Sequence, residues 1–471
     1  MQQKQMNRLS ELLLKYNHNQ ENEPLAKHLQ EDDLKKILEV EKIEGNQNWD
    51  ETFDWIEKYL SHSPNTANLD FSNRMWSKAT LPSILAEIVT ATNHSDASTY
   101  ESAPVATIME KYMIGEMLRL VGYLDGEGQM TTGSSNANML AMMCARNLFL
   151  EGVKASGLYG QKKLKAFVNE DAHYSLDKAM NILGLGLDNL IKIPSDKDGR
   201  MDIALLEKSI QETIENGDIV FFVTATSGTT VRGAFDSIKQ ILNLRDKYNF
   251  WLHVDGAWGG PAFLSKSLRL KFLDHLEDTD SFTFDFHKMP GIALICNMLL
   301  INKRRGIFKS TCSAGTTNYI FHGGTKEVLP KNLGEFSLQC GRRIDSLKLF
   351  LDWKFFGAKG ISDKIENYLE LAKYAEKIIL DSSNLELVVK RESFNLCFRF
   401  ITPDTIDSNE FNQNLRNNLL NKSIFMVGTG VVDKQLIIRY VITNPDTTKK
   451  DIDLFFKKFE CEGLKMLQKL L

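Results

Sequence analysis

The chain predicts an α/β fold with a mainly parallel sheet covered by helices on both faces, and three observations carry that expectation. Between about Thr99 and Ala314, short apolar runs recur: "LKAFV" (164–168), "NLIKI" (189–193), "DIVFFVTA" (218–225), "FWLHV" (250–254) and "SFTFDF" (281–286). Runs that stay apolar at successive positions suit strands buried on both faces. Amphipathic stretches such as "LLEKSIQETIENG" (205–217) and "SIKQILNLRDKY" (237–248) separate them, which is the strand–helix alternation of βαβ units. At 471 residues the chain is also too long for one simple core, so more than one lobe is expected.

The elements follow in order. Residues 1–98 form a helical N-terminal segment, since "LSELLLKYN" (9–17), "DDLKKILEVEKI" (32–43) and "WDETFDWIEKYL" (49–60) place apolar residues at three- and four-residue spacing. Residues 99–345 form the large α/β domain. A helical pattern at 335–357 leads into residues 346–471, a smaller α+β domain with a further helical pattern at 361–380, strand-like "LELVV", "NLCFRF" and "LIIRYVI", then a closing helix at 451–471.

Composition excludes several classes. A formal net charge of -4 leaves no electrostatic footprint for nucleic acid. No apolar stretch of spanning length and no signal-peptide core occur, so no membrane partner is expected and the cytoplasm is the expected location. Six cysteines lie far apart without a CxxC pair, which points to reduced, mostly buried thiols and to neither a zinc site nor a disulfide framework.

Polar residues directly after the apolar runs merit a joint reading, because ligands of open α/β sheets bind beyond the carboxyl ends of the strands. His173 follows "LKAFV", Thr226 and Ser227 follow "FFVTA", Asp255 follows "FWLHV", and His287 and Lys288 follow "SFTFDF". Singly, such residues are commonly turns, caps or solvated charges. Together they offer an amine able to form a Schiff base, a carboxylate able to hold a pyridinium proton, an imidazole able to stack, and hydroxyls nearby. Pyridoxal phosphate needs that set. Its phosphate would sit where Gly133, Ser134 and Ser135 precede the helical "NANMLAMMCARN", at a positive helix end. A dinucleotide site is rejected, because "GLGL" (184–187) lacks the strand–turn–helix context.

These motifs resemble the group II pyridoxal-phosphate-dependent amino acid decarboxylases of fold type I. "TTGSSNAN", "EDAHYSLDKA", "TSGTTVRGAFD", "HVDGAWGG", "FHKMPG" and "QCGRR" carry the likeness, which runs from about Ser98 to Asp453. "TYESAPV", "QCGRRIDSLKLFLDWK" and "VITNPDTTKKDID" make the chain most similar to the glutamate and cysteine-sulfinate decarboxylase branch. The resemblance implies a seven-stranded sheet and a homodimer with shared active sites. It implies the internal aldimine on Lys288, Asp255 at the pyridine nitrogen and His173 stacked over the ring. Ser134 and Ser135, with His287, would hold the phosphate, and Thr226 would lie at a polar edge of the ring. Arg439 would receive a substrate carboxylate. The implied reaction is α-decarboxylation of an acidic L-amino acid of the glutamate, aspartate or cysteine-sulfinate class.

The chain also departs from the family pattern. Asp285 stands three residues before Lys288 where the family often has asparagine. No tyrosine lies between His322 and Cys340, where decarboxylases of this kind commonly carry the proton donor to Cα, which leaves Lys331, Tyr319 and His322 as substitutes. An aromatic substrate, or decarboxylation coupled to oxidative deamination, is therefore the alternative expectation. Asn73, Arg74 and Ser98 stand where the branch builds part of its substrate pocket.

Overall fold

The computed structural model describes residues 2–19, 25, 29–41, 45, 48–313, 319–321 and 331–471. The chain divides into two compact units. One comprises Met1–Lys78, Glu370–Lys390 and Phe394–Leu471; the other comprises Ala79–Leu369 with Arg391–Ser393. The boundaries expected at 98/99 and 345/346 both lie inside the second unit.

Strand β1 (Phe71–Ser72) belongs to the first unit. The second unit is built on β2 (Glu127–Thr131), β3 (Leu164–Asn169), β4 (Leu190–Ile193), β5 (Ile219–Thr226), β6 (Trp251–Gly256), β7 (Ser281–Asp285) and β8 (Asn297–Ile301). These seven form one sheet in the order β2-β8-β7-β6-β5-β3-β4. The pairings among β4, β3, β5, β6 and β7 are parallel, and β8 pairs antiparallel with both β7 and β2. The mainly parallel seven-stranded sheet is thus as expected. Its β2 and β8 edge had no counterpart among the apolar runs singled out above.

Both faces of the central strands are buried, which explains why β5, β6 and β7 read as unbroken apolar runs. Phe221, Phe222, Trp251, Phe282 and Phe284 are almost wholly removed from solvent, each contributing about 1.5–3 kcal/mol of hydrophobic stabilisation. Helix Ser134–Phe149 crosses β5 to β8 on one face, so the segment expected to seat a phosphate is anchored to the strands that carry the other candidate residues.

In the first unit, β9 (Leu385–Leu387), β10 (Asn395–Phe400), β11 (Met426–Val432) and β12 (Gln435–Val441) join β1 in the order β1-β11-β12-β10-β9. Phe398, Phe455, Phe456 and Phe459 pack between this sheet and the closing helix Lys449–Leu470. Among the described residues no helix is long and apolar enough to cross a membrane. All six cysteines are free thiols, but only Cys144, Cys296 and Cys397 are buried, while Cys340 and Cys461 are exposed. The expectation of mostly buried thiols therefore holds for half of them.

The helix expected from Glu335 begins only at Ser346 and is broken at Gly357 (φ 65°, ψ 178°). The intervening residues are held by a buried ion pair. Arg342 Nη2 donates to Glu110 Oε1 at 2.8 Å and to the Met130 carbonyl at 3.1 Å, and Met130 N donates to the same carboxylate oxygen at 3.2 Å. "QCGRR" thus fixes the strand that leads into the Gly133–Ser135 turn. Arg342→Met should lower the unfolding free energy by about 3–5 kcal/mol, because Glu110 is left charged and buried. Urea denaturation would show this, and adding Glu110→Gln should restore part of the loss.

Candidate active site

The chain passes from β3 outward to β4, then returns to place β5 on the other side of β3 and moves on to β6 and β7. That reversal opens a crevice at the carboxyl ends of β3 and β5, where open α/β sheets bind ligands. The residues singled out at the strand ends converge there. Thr226, the last residue of β5, pairs in register with Asp255 of β6. Ser227 N donates to the Asp255 carbonyl at 2.8 Å.

Asp255 is buried, and its carboxylate is oriented from two sides: Ala257 N donates to Oδ1 at 3.1 Å and Asn138 Nδ2 to Oδ2 at 2.8 Å. Asp236, in "TSGTTVRGAFD", is also fully buried. It accepts from Thr226 N at 2.8 Å, Met201 N at 2.7 Å and Asn169 Nδ2 at 2.8 Å. It thereby ties the ends of β3 and β5 together. Burial pushes its carboxyl up to about 6, against those three hydrogen bonds.

His173 lies four residues beyond β3. Ser175 N donates to its Nδ1 at 3.2 Å, which leaves the ring proton on Nε2. Burial lowers its pKa below the usual histidine value; Asp255 opposes this, Lys288 reinforces it, and Asp285 opposes it. The ring is therefore neutral near pH 7, and it senses all three charges because the fold has brought them together.

After β7, Lys288 Nζ lies 2.9 Å from Asp285 Oδ2, and His287 Nε2 lies 3.7 Å from the same oxygen. Ser134 Oγ donates to Asp285 Oδ1 at 2.9 Å, and Asn297 Nδ2 does so at 2.8 Å. Burial works against the Asp285 charge, but Lys288 and His287 outweigh it and hold the carboxyl below its usual range. His287 is itself shifted down, by burial first, with Asp285 opposing.

The family description "Pyridoxal-dependent decarboxylase conserved domain" matches residues 32–401, well over half of the 471 residues. The chain belongs to the pyridoxal-dependent decarboxylases. It is 29% identical over 453 residues to the acidic amino acid decarboxylase GADL1 of Xenopus tropicalis, covering 94% of this chain and 88% of that one. The crystal structure of mouse CSAD matches with a TM-score of 0.88 at 29% identity over 94% of each chain. The Oryza sativa TDC structure with PLP and tryptamine shares the fold, with a TM-score of 0.91 at 20% identity over 99% of this chain and 98% of that one. The expected likeness to the glutamate and cysteine-sulfinate branch is met by the first two.

The lining of this decarboxylase fits pyridoxal phosphate. Thr226 Oγ1 and Ser227 Oγ are buried hydroxyls without a hydrogen-bond partner among the described residues. They lie beside the oriented Asp255 carboxylate, where a ring with polar edges would satisfy them. Gly133 enters the helix at φ 113°, a backbone conformation that favours glycine, and the first amides of helix Ser134–Phe149 have no carbonyl partner within the helix. Ser135 is exposed in that turn. The Ser134 hydroxyl is instead committed to Asp285, so Asp285 does not turn away from this seat.

The remaining candidates lie elsewhere in the chain. Arg439 on β12 belongs to the first unit, where its Nη2 donates to the Asn73 carbonyl at 2.8 Å. Opposite it, a Cβ on Gly428 would stand 3.0 Å from the guanidinium, so a side chain there would displace the arginine. Ser98 is buried, with its carbonyl accepting from Gly334 N at 2.8 Å. Tyr319 and Lys331 are exposed; His322 lies outside the described residues. Asn138 and His253, both fully buried, escaped the sequence reading, since one sits inside a helix and the other inside an apolar strand.

Asp285 contributes stability that is full above the ordinary carboxylate value of 3.8 and is lost as pH falls through its lower folded value. The stability gap between the parent and Asp285→Asn should therefore narrow as pH drops from about 5 to 2, which denaturant titrations at each pH would measure.

Proposed function

We propose that this decarboxylase removes the α-carboxyl group of an acidic L-amino acid of the glutamate, aspartate or cysteine-sulfinate class, giving the amine and CO2. The likeness to an acidic amino acid decarboxylase over nearly the whole chain carries the reading. Arg439 adds to it. The guanidinium is buried and its pKa is lowered by that burial, with Arg74 close enough to lower it further. A buried, planar fork of donors suits a carboxylate or sulfinate.

In this reading Lys288 would be the residue that holds the cofactor. Asp255 would keep the pyridine nitrogen protonated, and His173, neutral because burial lowers its pKa, would not compete for that proton. The helix amides at Ser134 and Ser135, with His287, would hold the phosphate, and the Thr226 hydroxyl would serve a polar ring edge. Bound pyridoxal phosphate supplies the sink for the electron pair left at Cα when CO2 departs. Arg439 would pair with a carboxylate of the substrate.

A homodimer accompanies this reading. Leu81, Leu85, Ile88 and Val89 on helix Leu81–Asn93 and Val105 and Ile108 on helix Pro104–Val121 are exposed apolar residues, a surface that a second copy would cover. Free thiols throughout suit the reducing cytoplasm.

Amine, CO2 and peroxide would be measured for L-glutamate, L-aspartate, cysteine sulfinate and L-tyrosine. Stoichiometric amine from an acidic substrate, abolished in Lys288→Ala, is expected; peroxide with an aldehyde product, or turnover of tyrosine alone, would sink the proposal. Arg439→Met should raise KM for the acidic substrate about 10- to 100-fold, the worth of a lost hydrogen bond to a charge. Light scattering should report a dimer for the parent and monomer for Ile88→Asp with Val105→Asp.

A further inference from the structure

Behind Asp255 runs a chain of fully buried polar side chains. Asn138 Nδ2 reaches Asp255 Oδ2 at 2.8 Å and Ser175 Oγ at 2.9 Å. Asn138 Oδ1 is 2.9 Å from His253 Nε2. His253 Nδ1 is 2.8 Å from Ser281 Oγ, and Trp251 Nε1 donates to Ser281 Oγ at 2.7 Å. His253 and Ser281 face each other in register on β6 and β7.

The direction of every link follows from its end. A carboxylate only accepts, so Asn138 must present its amide nitrogen to Asp255 and its oxygen to His253. His253 must then carry its proton on Nε2. Its Nδ1 is left as an acceptor, which only the Ser281 hydroxyl can satisfy, and the Ser281 oxygen in turn accepts from an indole that can only donate. Burial keeps His253 neutral by lowering its pKa to about 4, against the charge of Asp255. Phe222 stacks on the ring at 5.5 Å, which fixes its plane.

Asn138 also reaches the other side of the site. Through Ser175, whose backbone amide sets the His173 ring, one amide side chain orients both the carboxylate and the imidazole expected to flank the cofactor ring.

We propose that Asn138 and His253 are positioning residues of the decarboxylase: with Ser281 and Trp251 they form a one-way hydrogen-bond relay that holds Asp255 oriented as an acceptor toward the pyridine nitrogen. The inference rests on the assignment of Asp255 to that nitrogen. A neutral donor chain stabilises the carboxylate without adding a charge, so the proton on the ring has no rival cation beside it.

Two measurements test the relay. In the 15N-histidine-labelled apo-protein, with His253 assigned by its loss in His253→Phe, the imidazole should be the Nε2–H tautomer and stay neutral from pH 8 to 5.5; an Nδ1–H tautomer or a cation would overturn the proposal. In the cofactor-loaded protein, Asn138→Ala and His253→Phe should each weaken pyridoxal phosphate binding about 10- to 100-fold, the worth of a hydrogen bond to a charged group. They should shift its absorbance band and lower kcat while KM stays within about threefold, as for a group acting on the reaction step alone. Ser281→Ala should weaken and Ser281→Thr should preserve the same signals. Parent-like affinity, spectrum and kcat in Asn138→Ala would overturn the relay. If the parent itself shows no cofactor band, the assignment of Asp255 fails instead, and the tautomer still decides the relay.

Discussion

A carboxylate shut between a β-strand and a helix is tolerable only if the protein itself replaces the water it has lost. Asp255 is 4% exposed, and an ion so placed costs several kcal/mol unless hydrogen bonds compensate it. The fold supplies them from two elements far apart in sequence, the turn at Ala257 and the helix bearing Asn138. That requirement binds the site to the architecture. Helix Ser134–Phe149 must lie across β5 to β8 for Asn138 to reach β6, and the same placement brings its N-terminal amides to the strand ends where Lys288 emerges. The strand β2 that delivers the helix is fixed in turn by Arg342 and Glu110.

A second buried charge, on Asp285, is solved differently. Here the compensation is ionic, from Lys288, with hydrogen bonds from Ser134 and Asn297. Asp255 is surrounded by neutral donors, so its charge stays available to a cationic group. The charge of Asp285 is consumed by its neighbours. Two neighbouring carboxylates are thus compensated in opposite ways, one by neutral donors and the other by an adjacent lysine.

Much of this arrangement was legible in the sequence. Parallel strands buried on both faces write themselves as unbroken apolar runs, so the residues immediately after them, His173, Thr226, Asp255, His287 and Lys288, could be grouped before any coordinates. The antiparallel edge was not legible. β2 ("EGQMT") carries a glycine and three polar residues, and their side chains bond to the Phe336 carbonyl, to the Gly306 and Phe308 amides and to Asn297, contacts that no local pattern encodes. The helix expected at Glu335 failed for a similar reason: tertiary hydrogen bonding by Arg342 overrides helical periodicity until Ser346. Asn138 and His253 were hidden by the same logic, because a polar residue inside an apolar element reveals its purpose only through a partner more than a hundred residues away.

The arginine on β12 shows how far chemistry can be argued from one side chain. Removing a guanidinium from water is costly, and the field of Arg74 adds to the cost at Arg439, as it does at Arg416. An anionic ligand at Arg439 would offset the field of Arg74 there. An aromatic side chain could only stack on a guanidinium, a weaker interaction than pairing with an anion. Hydrophobic pockets discriminate by only about 1–3 kcal/mol per methylene, whereas a site built to hydrogen-bond a polar substrate group rejects an analogue lacking it far more strongly. Selection for an acidic substrate by these arginines would therefore act mainly by rejecting neutral competitors, and the preference should weaken as ionic strength rises and mobile anions take the substrate's place.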